Sequence, residues 1–254
     1  MNLTLLRNAT LVLDYAGKRI VVDPMLDPEG ARPPVGNTAN GRRNPLVPLP
    51  DTAADALASP DALLVTHLHQ DHFDGTAKEA LAKTLPVICQ PEDIDRLAAD
   101  GFANLFPVED ALTWEGIAIT RTPAQHGTGD IAVLMAPVSG FVLAAPGEPT
   151  LYLASDTIWY PPVAATIDRH GPAVIVVNGG GARFLTGDPI TMTVEDIAAV
   201  RHHAPGAAIV VDHLEAINHC GETRAMIAQR LADLGATDRV FLPADGETRE
   251  FTTH

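Results

Sequence analysis

A short run of metal-ligand residue types constrains this chain more than any other feature. After an apolar, strand-like stretch, the segment 67–72 reads His-Leu-His-Gln-Asp-His and supplies four candidate ligands. On an extended chain His67 and His69 point the same way, and Asp71 and His72 then occupy the following turn. Imidazole and carboxylate groups are ligands of Zn²⁺ and neighbouring divalent ions. The segment therefore predicts a metal site at the end of a buried strand, with one pair of residues for each of two ions.

The charge balance restricts the class of partner. The 254 residues include 17 Lys and Arg against 32 Asp and Glu, which gives a formal net charge of -15. A protein that tracks nucleic acid usually carries a basic stripe, and here the only basic doublet is Arg42-Arg43. The composition therefore argues against nucleic acid and anionic membrane surfaces. It leaves a small-molecule substrate, with a homo-oligomer as an open alternative.

The expected compartment is the cytoplasm. Cys89 and Cys220 lie far apart and form no Cys-x-x-Cys pattern, so we expect two free thiols in a reducing environment. The first residues lack the charged and apolar regions of a signal peptide. The apolar runs are also shorter than the ~18 residues of a membrane span.

The pattern of apolar residues predicts an α+β protein. Residues 10–23 read as a β-hairpin, and the Pro-, Gly- and Asn-rich stretch 26–50 reads as a long loop, either a lid or a plain surface excursion. Further predicted strands cover 62–66, 86–89, 116–122, 131–135, 140–144, 150–154, 174–177, 208–212 and 239–242. Predicted helices cover 76–83, 91–99, a segment that begins after Thr193, and 222–234. One domain over 1–254, with two sheets and flanking helices, is the simplest architecture.

The first motif resembles the His-x-His-x-Asp-His signature of the metallo-β-lactamase superfamily, and the resemblance extends over nearly the whole chain. Three later segments match in order and spacing: Thr122-Pro-Ala-Gln-His126, Leu151-Tyr-Leu-Ala-Ser-Asp156 and Ile209-Val-Val-Asp-His213. The resemblance implies a four-layer αβ/βα sandwich of two mixed β-sheets flanked by helices. It also implies that His67, His69 and His126 hold one ion, that Asp71, His72 and His213 hold the other, and that Asp156 bridges them.

Within the superfamily the chain is similar to the branch of ascorbate-6-phosphate lactonase-like and general metal-dependent hydrolases. Residues 192–198 resemble that branch's segment after the bridging Asp. After His213 the chain continues Leu-Glu-Ala-Ile-Asn-His-Cys, where many relatives have a Tyr. Because of this departure, the lactonase activity is not transferred to this chain.

The expected chemistry is hydrolysis. Two divalent ions, preferably Zn²⁺ with Mn²⁺ or Fe²⁺ as alternatives, would share a bridging hydroxide because their charge lowers the pKa of a bound water toward ~7. The substrate would be a small ester, lactone or phosphoester. Asp71 could also accept the proton of the attacking water. His219, six residues after His213, could protonate the leaving group, or it could be a loop residue without a role.

Candidate substrate-binding residues lie in the long loop and after a buried strand. Arg42 and Asn44 could bind a polar or anionic group of the substrate, although both could equally be solvated surface residues. Asn178 follows the strand 174–177 and precedes three glycines, which could allow close approach of a substrate or form an ordinary turn.

Three other functions compete with hydrolysis of a small molecule. An iron-dependent oxidoreductase of the same fold is one, but the presence of His72 and His213 favours two metals and hydrolysis. A nuclease of the tRNA-processing kind shares the first motif, but the charge of -15 opposes it. A non-enzymatic metal-binding protein is the third alternative.

Overall fold

Fourteen strands and seven helices form the chain, whose computed structural model describes residues 1–253. The strands are β1 (Asn2–Arg7), β2 (Thr10–Tyr15), β3 (Lys18–Val22), β4 (Ala62–Val65), β5 (Pro86–Cys89), β6 (Asn104–Pro107), β7 (Ala111–Trp114), β8 (Ile117–Pro123), β9 (Ser139–Ala144), β10 (Leu151–Leu153), β11 (Val174–Asn178), β12 (Ala208–Asp212), β13 (Val240–Phe241) and β14 (Thr248–Glu250). The helices are α1 (Ala53–Ala56), α2 (Gly75–Ala80), α3 (Ile94–Ala99), α4 (Gly129–Met135), α5 (Pro161–His170), α6 (Val194–His203) and α7 (Arg224–Asp233), and a 3₁₀ turn (Pro91–Asp93) precedes α3.

The strands form two seven-stranded sheets of the same design. The first has the order β14-β1-β2-β3-β4-β5-β6 and the second has the order β13-β12-β11-β10-β9-β8-β7. In the first sheet the pairs from β14 to β3 are antiparallel and those from β3 to β6 are parallel. In the second, the pairs from β13 to β10 are parallel and those from β10 to β7 are antiparallel. Both sheets are therefore mixed, as predicted.

The alternation of side chains along the strands divides the core into layers. In β4, Ala62 and Leu64 join the cluster between the two sheets, whereas Leu63 and Val65 join the cluster under α1, α2 and α3. In the second sheet, Val176 faces the other sheet and its neighbours along β11 face α5, α6 and α7. Because successive side chains of a strand point to opposite faces, an almost continuous apolar strand fills two layers. The result is the helix-sheet-sheet-helix sandwich expected from the sequence.

Helix α4 corrects the predicted strand at 131–135. The run Ile-Ala-Val-Leu-Met has no alternation of polar and apolar residues. Because it is also short, its periodicity does not distinguish a strand from a helix. The neighbouring strands leave no position for it, because β8 and β9 pair directly from Ala118 with Ala144 to Pro123 with Ser139. The segment instead forms a helix with no buried residue, and Val133 and Leu134 are 78% and 69% exposed.

Local signals explain where other helices begin and end. Thr193 is the N-cap of α6, as predicted from the sequence. The structure adds a capping box, in which the Thr193 hydroxyl accepts from the Asp196 amide and the Asp196 carboxylate accepts from the Thr193 amide. Helix α5 was not predicted, although Pro161 begins it and Gly171 ends it with a φ of 52°, the expected asymmetry of helix ends. The strands β1, β6, β7 and β14 and the short helix α1 were also missed.

The long loop 26–50, here called the strap, lies against the loop that follows β12. An isolated pair of backbone hydrogen bonds joins Arg32 to Asn44 across the strap, and the Leu46 amide donates to the Ala216 carbonyl at 2.7 Å. The Asn218 side chain donates to the Val35 and Asn40 carbonyls and accepts from the Val35 amide. The strap is therefore held in place at its middle. No helix in the described part of the chain, residues 1–253, is long and apolar enough to cross a membrane.

Candidate metal centre and cavity

Four strand ends from the two sheets deliver their side chains to one buried region. The first motif follows β4 directly, His126 follows β8, Asp156 follows β10 and His213 follows β12. These loops bring together the seven predicted ligands, here called the floor: His67, His69, Asp71, His72, His126, Asp156 and His213.

The donor atoms of the floor form two groups that share one carboxylate. The first group contains His67, His69, His126 and Asp156, and within it the ligand atoms lie within 4.8 Å of one another. The His126 Nε2 atom is 3.2 Å from Asp156 Oδ2, and the His67 Nε2 atom is 3.7 Å from it. The group thus offers three imidazoles and one carboxylate to a single point.

The second group contains Asp71, His72, His213 and Asp156, again with ligand atoms within 4.8 Å of one another. The His213 Nε2 atom lies 3.3 Å from Asp71 Oδ2 and 3.7 Å from Asp156 Oδ1. The His72 Nε2 atom lies 3.2 Å from Asp156 Oδ2. Asp156 Oδ2 therefore faces histidines of both groups, and Oδ1 faces His213 of the second group. The carboxylate lies between the groups, as the resemblance implied for a bridging residue.

Burial and charge in the floor suit divalent cations. Burial, together with the neighbouring imidazoles, lowers the pKa of His67 and His69, so both remain neutral, the form that binds metal. Burial opposes ionisation of Asp71 and Asp156, but the adjacent histidines outweigh it and hold the pKa of each carboxyl well below its usual range. Ionised carboxylates beside imidazoles are a donor set for a cation.

One orphaned atom supports the same conclusion. His72 is completely buried, and its Nε2 atom makes no hydrogen bond among the described residues in spite of its proximity to Asp156. Burial would lower the pKa of His72, but Asp156 and Asp23 outweigh it and raise that pKa well above the usual value. A buried polar atom without a partner is costly, and a cation in the second group would satisfy it. The residues present therefore fit a metal ion.

Each histidine that carries Nε2 toward the floor is held at its other ring nitrogen. Nδ1 of His72 is 2.8 Å from Asp23 Oδ2, and Nδ1 of His67 is 3.0 Å from Thr66 Oγ1. Nδ1 of His126 is 2.6 Å from the Ile190 carbonyl oxygen. Such contacts fix the tautomer and the ring orientation of a metal-binding histidine. Sequence reasoning missed all three partners, because a single Asp, Thr or backbone carbonyl carries no spacing signal.

In addition to its contact with His72, Asp23 accepts two hydrogen bonds from Thr66, the residue before the first motif. Its Oδ1 atom accepts from the Thr66 amide, and its Oδ2 atom accepts from the Thr66 hydroxyl, both at 2.7 Å. It is 2% exposed and lies just after β3 with a φ of 44°. The carboxylate thus connects the end of β3 to the start of the first motif and to His72.

A cavity of about 270 Å³ opens above the floor. Its lining includes His69, Asp71 and His126 from the floor. The apolar lining residues, here called the roof, are Pro33, Pro34, Val35, Met135, Phe184, Ile190 and Ile217. The polar lining residues are Arg32, Asn44, Gln70 and His219. Four segments, namely the strap, the end of α4, the loop 182–190 and the loop after β12, therefore enclose the space next to the metal ligands.

His219 is the predicted catalytic residue that reaches the cavity in addition to Asp71. It is 9% exposed, and its Nδ1 atom makes no hydrogen bond among the described residues. Burial lowers its pKa to about 4, so the ring is neutral near pH 7 and carries one donor and one acceptor nitrogen. Its role in catalysis stays a prediction.

The predicted substrate-binding residues have other partners. Arg42 lies outside the cavity lining, and its Nη2 atom donates to the Leu46 carbonyl. Asn178 lies beneath the floor and donates to Asp156 Oδ1 at 2.7 Å, which orients the shared carboxylate. Asn44 does line the cavity, but its amide is paired with Asn218 through Nδ2 and Oδ1. The arginine of the strap that lines the cavity is Arg32.

The glycines after Asn178 serve the floor rather than a substrate. A Cβ atom on Gly180 would lie 2.9 Å from the His213 carbonyl oxygen and 3.1 Å from the Cys220 Cβ atom. A Cβ on Gly179 would lie 2.7 Å from a methyl group of Val211. These glycines therefore admit the loop that carries His213.

Comparisons with known proteins agree with this geometry. A family model described as a Beta-lactamase superfamily domain matches residues 18–214. The chain is 39% identical over 254 residues to the UPF0173 protein YddR of Bacillus subtilis, covering 99% of this chain and 100% of that protein. It is 29% identical over 246 residues to a UPF0173 metal-dependent hydrolase of Xanthobacter autotrophicus, covering 92% and 91% of the two chains.

Among solved structures, a similar one is an isothiocyanate hydrolase from Delia radicum gut bacteria. Its sequence is 37% identical, the TM-score is 0.94, and the match covers 100% of both chains. The matched length includes every residue of the floor and the whole strap. The chain therefore belongs to the metallo-β-lactamase superfamily, as a metal-dependent hydrolase with a cluster of histidine and aspartate side chains for the metal.

Proposed function

We propose that this enzyme is a dinuclear hydrolase of small, uncharged electrophiles with an apolar substituent, and that isothiocyanates are its principal substrate class. The observation that carries the proposal is the position of two four-donor groups, joined through Asp156, at the base of a largely apolar cavity. One ion would be held by His67, His69 and His126, the other by Asp71, His72 and His213, with Asp156 between them. Zn²⁺ is the preferred ion on the basis of the donor set, with Mn²⁺ and Fe²⁺ as alternatives.

The lining of the cavity supports the proposed substrate class. The seven roof residues would contact an alkyl or aryl substituent. Arg32 is the cationic side chain among the described lining residues, and its Nε atom lies 2.7 Å from Asp27 Oδ2. Because this ion pair neutralises the guanidinium, the cavity has little surplus positive charge for a phosphoester. Esters and lactones with apolar groups are the second candidate, since the same lining would accept them.

The similarity to an isothiocyanate hydrolase over the full length adds to the argument. In an isothiocyanate the central carbon is the electrophile. Water adds through its oxygen to that carbon, and one proton moves to the nitrogen. Cleavage of the carbon–nitrogen bond, with transfer of the second proton to nitrogen, then releases an amine and carbonyl sulfide. The reaction is balanced by one water and needs no other reagent.

Divalent ions at the floor would supply the usual chemistry, lowering the pKa of a water molecule and polarising the electrophile. The chain's own residues would handle protons and position. The Asp71 carboxylate, ionised and at the edge of the cavity, would accept a proton from the attacking water. His219, neutral and with Nδ1 unpaired, would accept a proton at Nδ1 from the attacking water and pass it to the leaving nitrogen. The roof would hold the substituent away from the floor.

A substrate panel tests the proposal. Metal-stripped protein would be reloaded with Zn²⁺ or Mn²⁺ and offered benzyl isothiocyanate, p-nitrophenyl acetate or bis(p-nitrophenyl) phosphate in an amine-free buffer. We expect metal-dependent release of benzylamine, weaker ester hydrolysis and no phosphodiester hydrolysis. Turnover of the phosphodiester alone, or loss of isothiocyanate that is independent of metal, would contradict the proposal.

A matched pair of histidine variants tests the role of His219. We expect His219→Gln to lower kcat about 100-fold without loss of bound metal, because the side chain lies outside the two donor groups. The control is His202→Gln, an exposed position near the end of α6. Equal activity of the two variants would remove His219 from the mechanism.

A further inference from the structure

Cys220 contacts the histidine that belongs to the second donor group. Its Sγ atom lies 3.5 Å from His213 Nδ1 and 3.5 Å from the His213 carbonyl oxygen. His213 is fully buried, whereas Cys220 is partly exposed. The contact is made by the ring nitrogen on the opposite side of the imidazole from Nε2, which faces Asp71 and Asp156.

We infer that Cys220 is the positioning residue for His213, and that its thiol fixes the tautomer in which Nε2 is free to bind the second ion. This inference rests on the proposed assignment of His213 as a ligand. The thiol S–H can donate to the His213 carbonyl, which leaves a sulfur lone pair to accept from Nδ1–H. With the proton held at Nδ1, the lone pair of Nε2 is directed at the second group.

The contact partner of His213 Nδ1 differs from those of the other floor histidines that are held at Nδ1. His67, His72 and His126 each face an oxygen, at 3.0, 2.8 and 2.6 Å. His213 faces sulfur at 3.5 Å, and thiols are weak donors and acceptors. We therefore expect the ring orientation of His213 to be the least firmly held of these four, because its Nδ1 atom depends on a single weak contact.

The local backbone supports a dedicated arrangement. His213 has a left-handed φ of 59°, a conformation uncommon for residues other than glycine. Gly180 lies against the His213 carbonyl and against both side-chain atoms of Cys220, at distances that would exclude a Cβ atom. The Cys220 amide donates to the Ile217 carbonyl at 3.2 Å. The turn 217–220 thus places the Cys220 thiol against the imidazole ring of His213, seven residues earlier in the chain.

Three variants separate positioning from general stability. Cys220→Ala removes the contact, Cys220→Ser keeps a hydroxyl that can donate and accept, and Cys89→Ala is the control. Cys89 is a buried thiol at the end of β5, in the cluster under the helices of the first sheet. Metal-stripped samples of each would be titrated with Zn²⁺ in competition with a chromophoric chelator, and their melting temperatures compared.

We expect Cys220→Ala to weaken one of two Zn²⁺ affinities about tenfold, the low end of the range for a lost partner of a metal-binding histidine. Cys220→Ser should recover part of the loss, and Cys89→Ala should leave both affinities unchanged. Long-range ¹H–¹⁵N spectra of the Zn²⁺-loaded protein should show a single tautomer of His213, with the proton at Nδ1, in the wild type and a second ring state in Cys220→Ala.

The outcomes distinguish the inference from the proposed function. If the wild type binds two ions but Cys220→Ala retains both affinities and a single tautomer, the positioning role is wrong while the dinuclear site stands. Equal weakening of both ions, with a lower melting temperature, would also overturn it in favour of a general packing role. A wild type that binds one ion or none would refute the dinuclear proposal itself.

Discussion

The side chains of the floor follow strands, whereas most of the roof comes from the strap, α4 and the loop 182–190, and Ile217 shares the loop after β12 with His213. Floor residues such as Asp156 and His213 lie a few positions beyond β10 and β12, so the hydrogen-bonded sheets determine where they start. Roof residues such as Pro34 and Phe184 lie in the strap and in the loop 182–190, and Met135 ends a helix with no buried residue. The comparison indicates that the position of the metal is fixed by the fold, while the shape of the space above it depends on loops.

The largest expected effect comes from the residue that joins the two halves of the floor. Asp156→Asn removes a charged oxygen from both donor groups, so we expect loss of bound metal and a fall in kcat/KM of more than about 1000-fold. Metal content by plasma mass spectrometry and the substrate panel would measure it. The control is Asp168→Asn, an exposed carboxylate on α5 that pairs with His203. Retention of full metal content in Asp156→Asn would contradict the view that metal binding depends on the floor residues.

Asp23→Asn tests whether support beneath the floor matters as much as the ligands. The amide would put an NH₂ group against donors at Thr66 or His72, while asparagine still tolerates the positive φ of this position. We expect metal affinity to fall about 10- to 100-fold, measured by chelator competition. The control is Asp14→Asn, which should leave metal affinity unchanged. Asp14 is an exposed carboxylate on β2 that pairs with Arg19 on β3. Unchanged metal affinity in Asp23→Asn would mean that the metal-binding residues keep their positions without support from Asp23.

Phe184→Ala tests the roof without touching the floor. Removal of the ring should raise KM for benzyl isothiocyanate roughly tenfold, with kcat and metal content nearly unchanged, because the side chain lines the cavity outside the donor groups. The neighbouring Leu185→Ala is the control, since that side chain is 63% exposed and lies outside the lining. A loss of metal in Phe184→Ala would show that floor and roof are coupled.

Asn218→Ala tests how the strap is held over the cavity. The change leaves the buried Asn44 amide and the Val35 amide without their partner, which costs about 1–3 kcal/mol for each unsatisfied group. We expect a melting temperature lower by roughly 5–10 °C and a KM raised a few-fold, with bound metal retained. Asn104→Ala, at an exposed edge strand, is the control. A melting temperature equal to that of the control would mean that the strap is held by other contacts.

The smallest effect on activity is expected at a buried carboxylate that belongs to neither donor group. Asp93 is 3% exposed, and burial raises its pKa to about 6, opposite to the lowered pKa of Asp71 and Asp156. Because the folded state favours the protonated acid, stability is lost as the pH rises from about 4 through 6. Asp93→Asn should therefore raise the melting temperature by a few degrees at pH 8 and leave it unchanged at pH 4, without altering kcat/KM. Asp95→Asn, exposed on α3, is the control; a lower melting temperature in Asp93→Asn at pH 8 would contradict the sign.

Much of the fold could be predicted from the sequence, because its strands are dense in Val, Ile and Leu and its ligand residues follow them at fixed offsets. The two mixed sheets and the flanking helices were expected and are present. Helix α4 was wrongly predicted as a strand because Ile131–Met135 lacks a period, and only the direct pairing of β8 with β9 excludes it from the sheet. The edge strands β6, β7 and β14 are short and partly polar, so their pairing depends on neighbours that are distant in sequence.

Some residues of the site could also be predicted from the sequence, and others could not. The seven floor residues were named from spacing and family resemblance, and the structure brings them together. Arg32, Phe184 and Met135 were missed because a cavity lining has no sequence pattern; it arises when separate loops meet. Composition cannot distinguish Arg32, Arg42 and Arg43, and the structure places Arg32 rather than the predicted Arg42 in the cavity lining. Asn178 was predicted to bind substrate, and in the structure it donates to Asp156, which is 22 positions away in the chain.

The fastening of the strap by Asn218 has a consequence for engineering. A segment of about 25 residues tied down at its middle behaves as two short loops, each with its own closure entropy, rather than as one long excursion. Since that entropy grows only with the logarithm of loop length, either half could be lengthened at modest cost while the other keeps its shape. Grafted segments in the first half of the strap, which carries Arg32, Pro33 and Pro34 of the cavity lining, would then alter substrate choice and leave the metal ligands in their native frame.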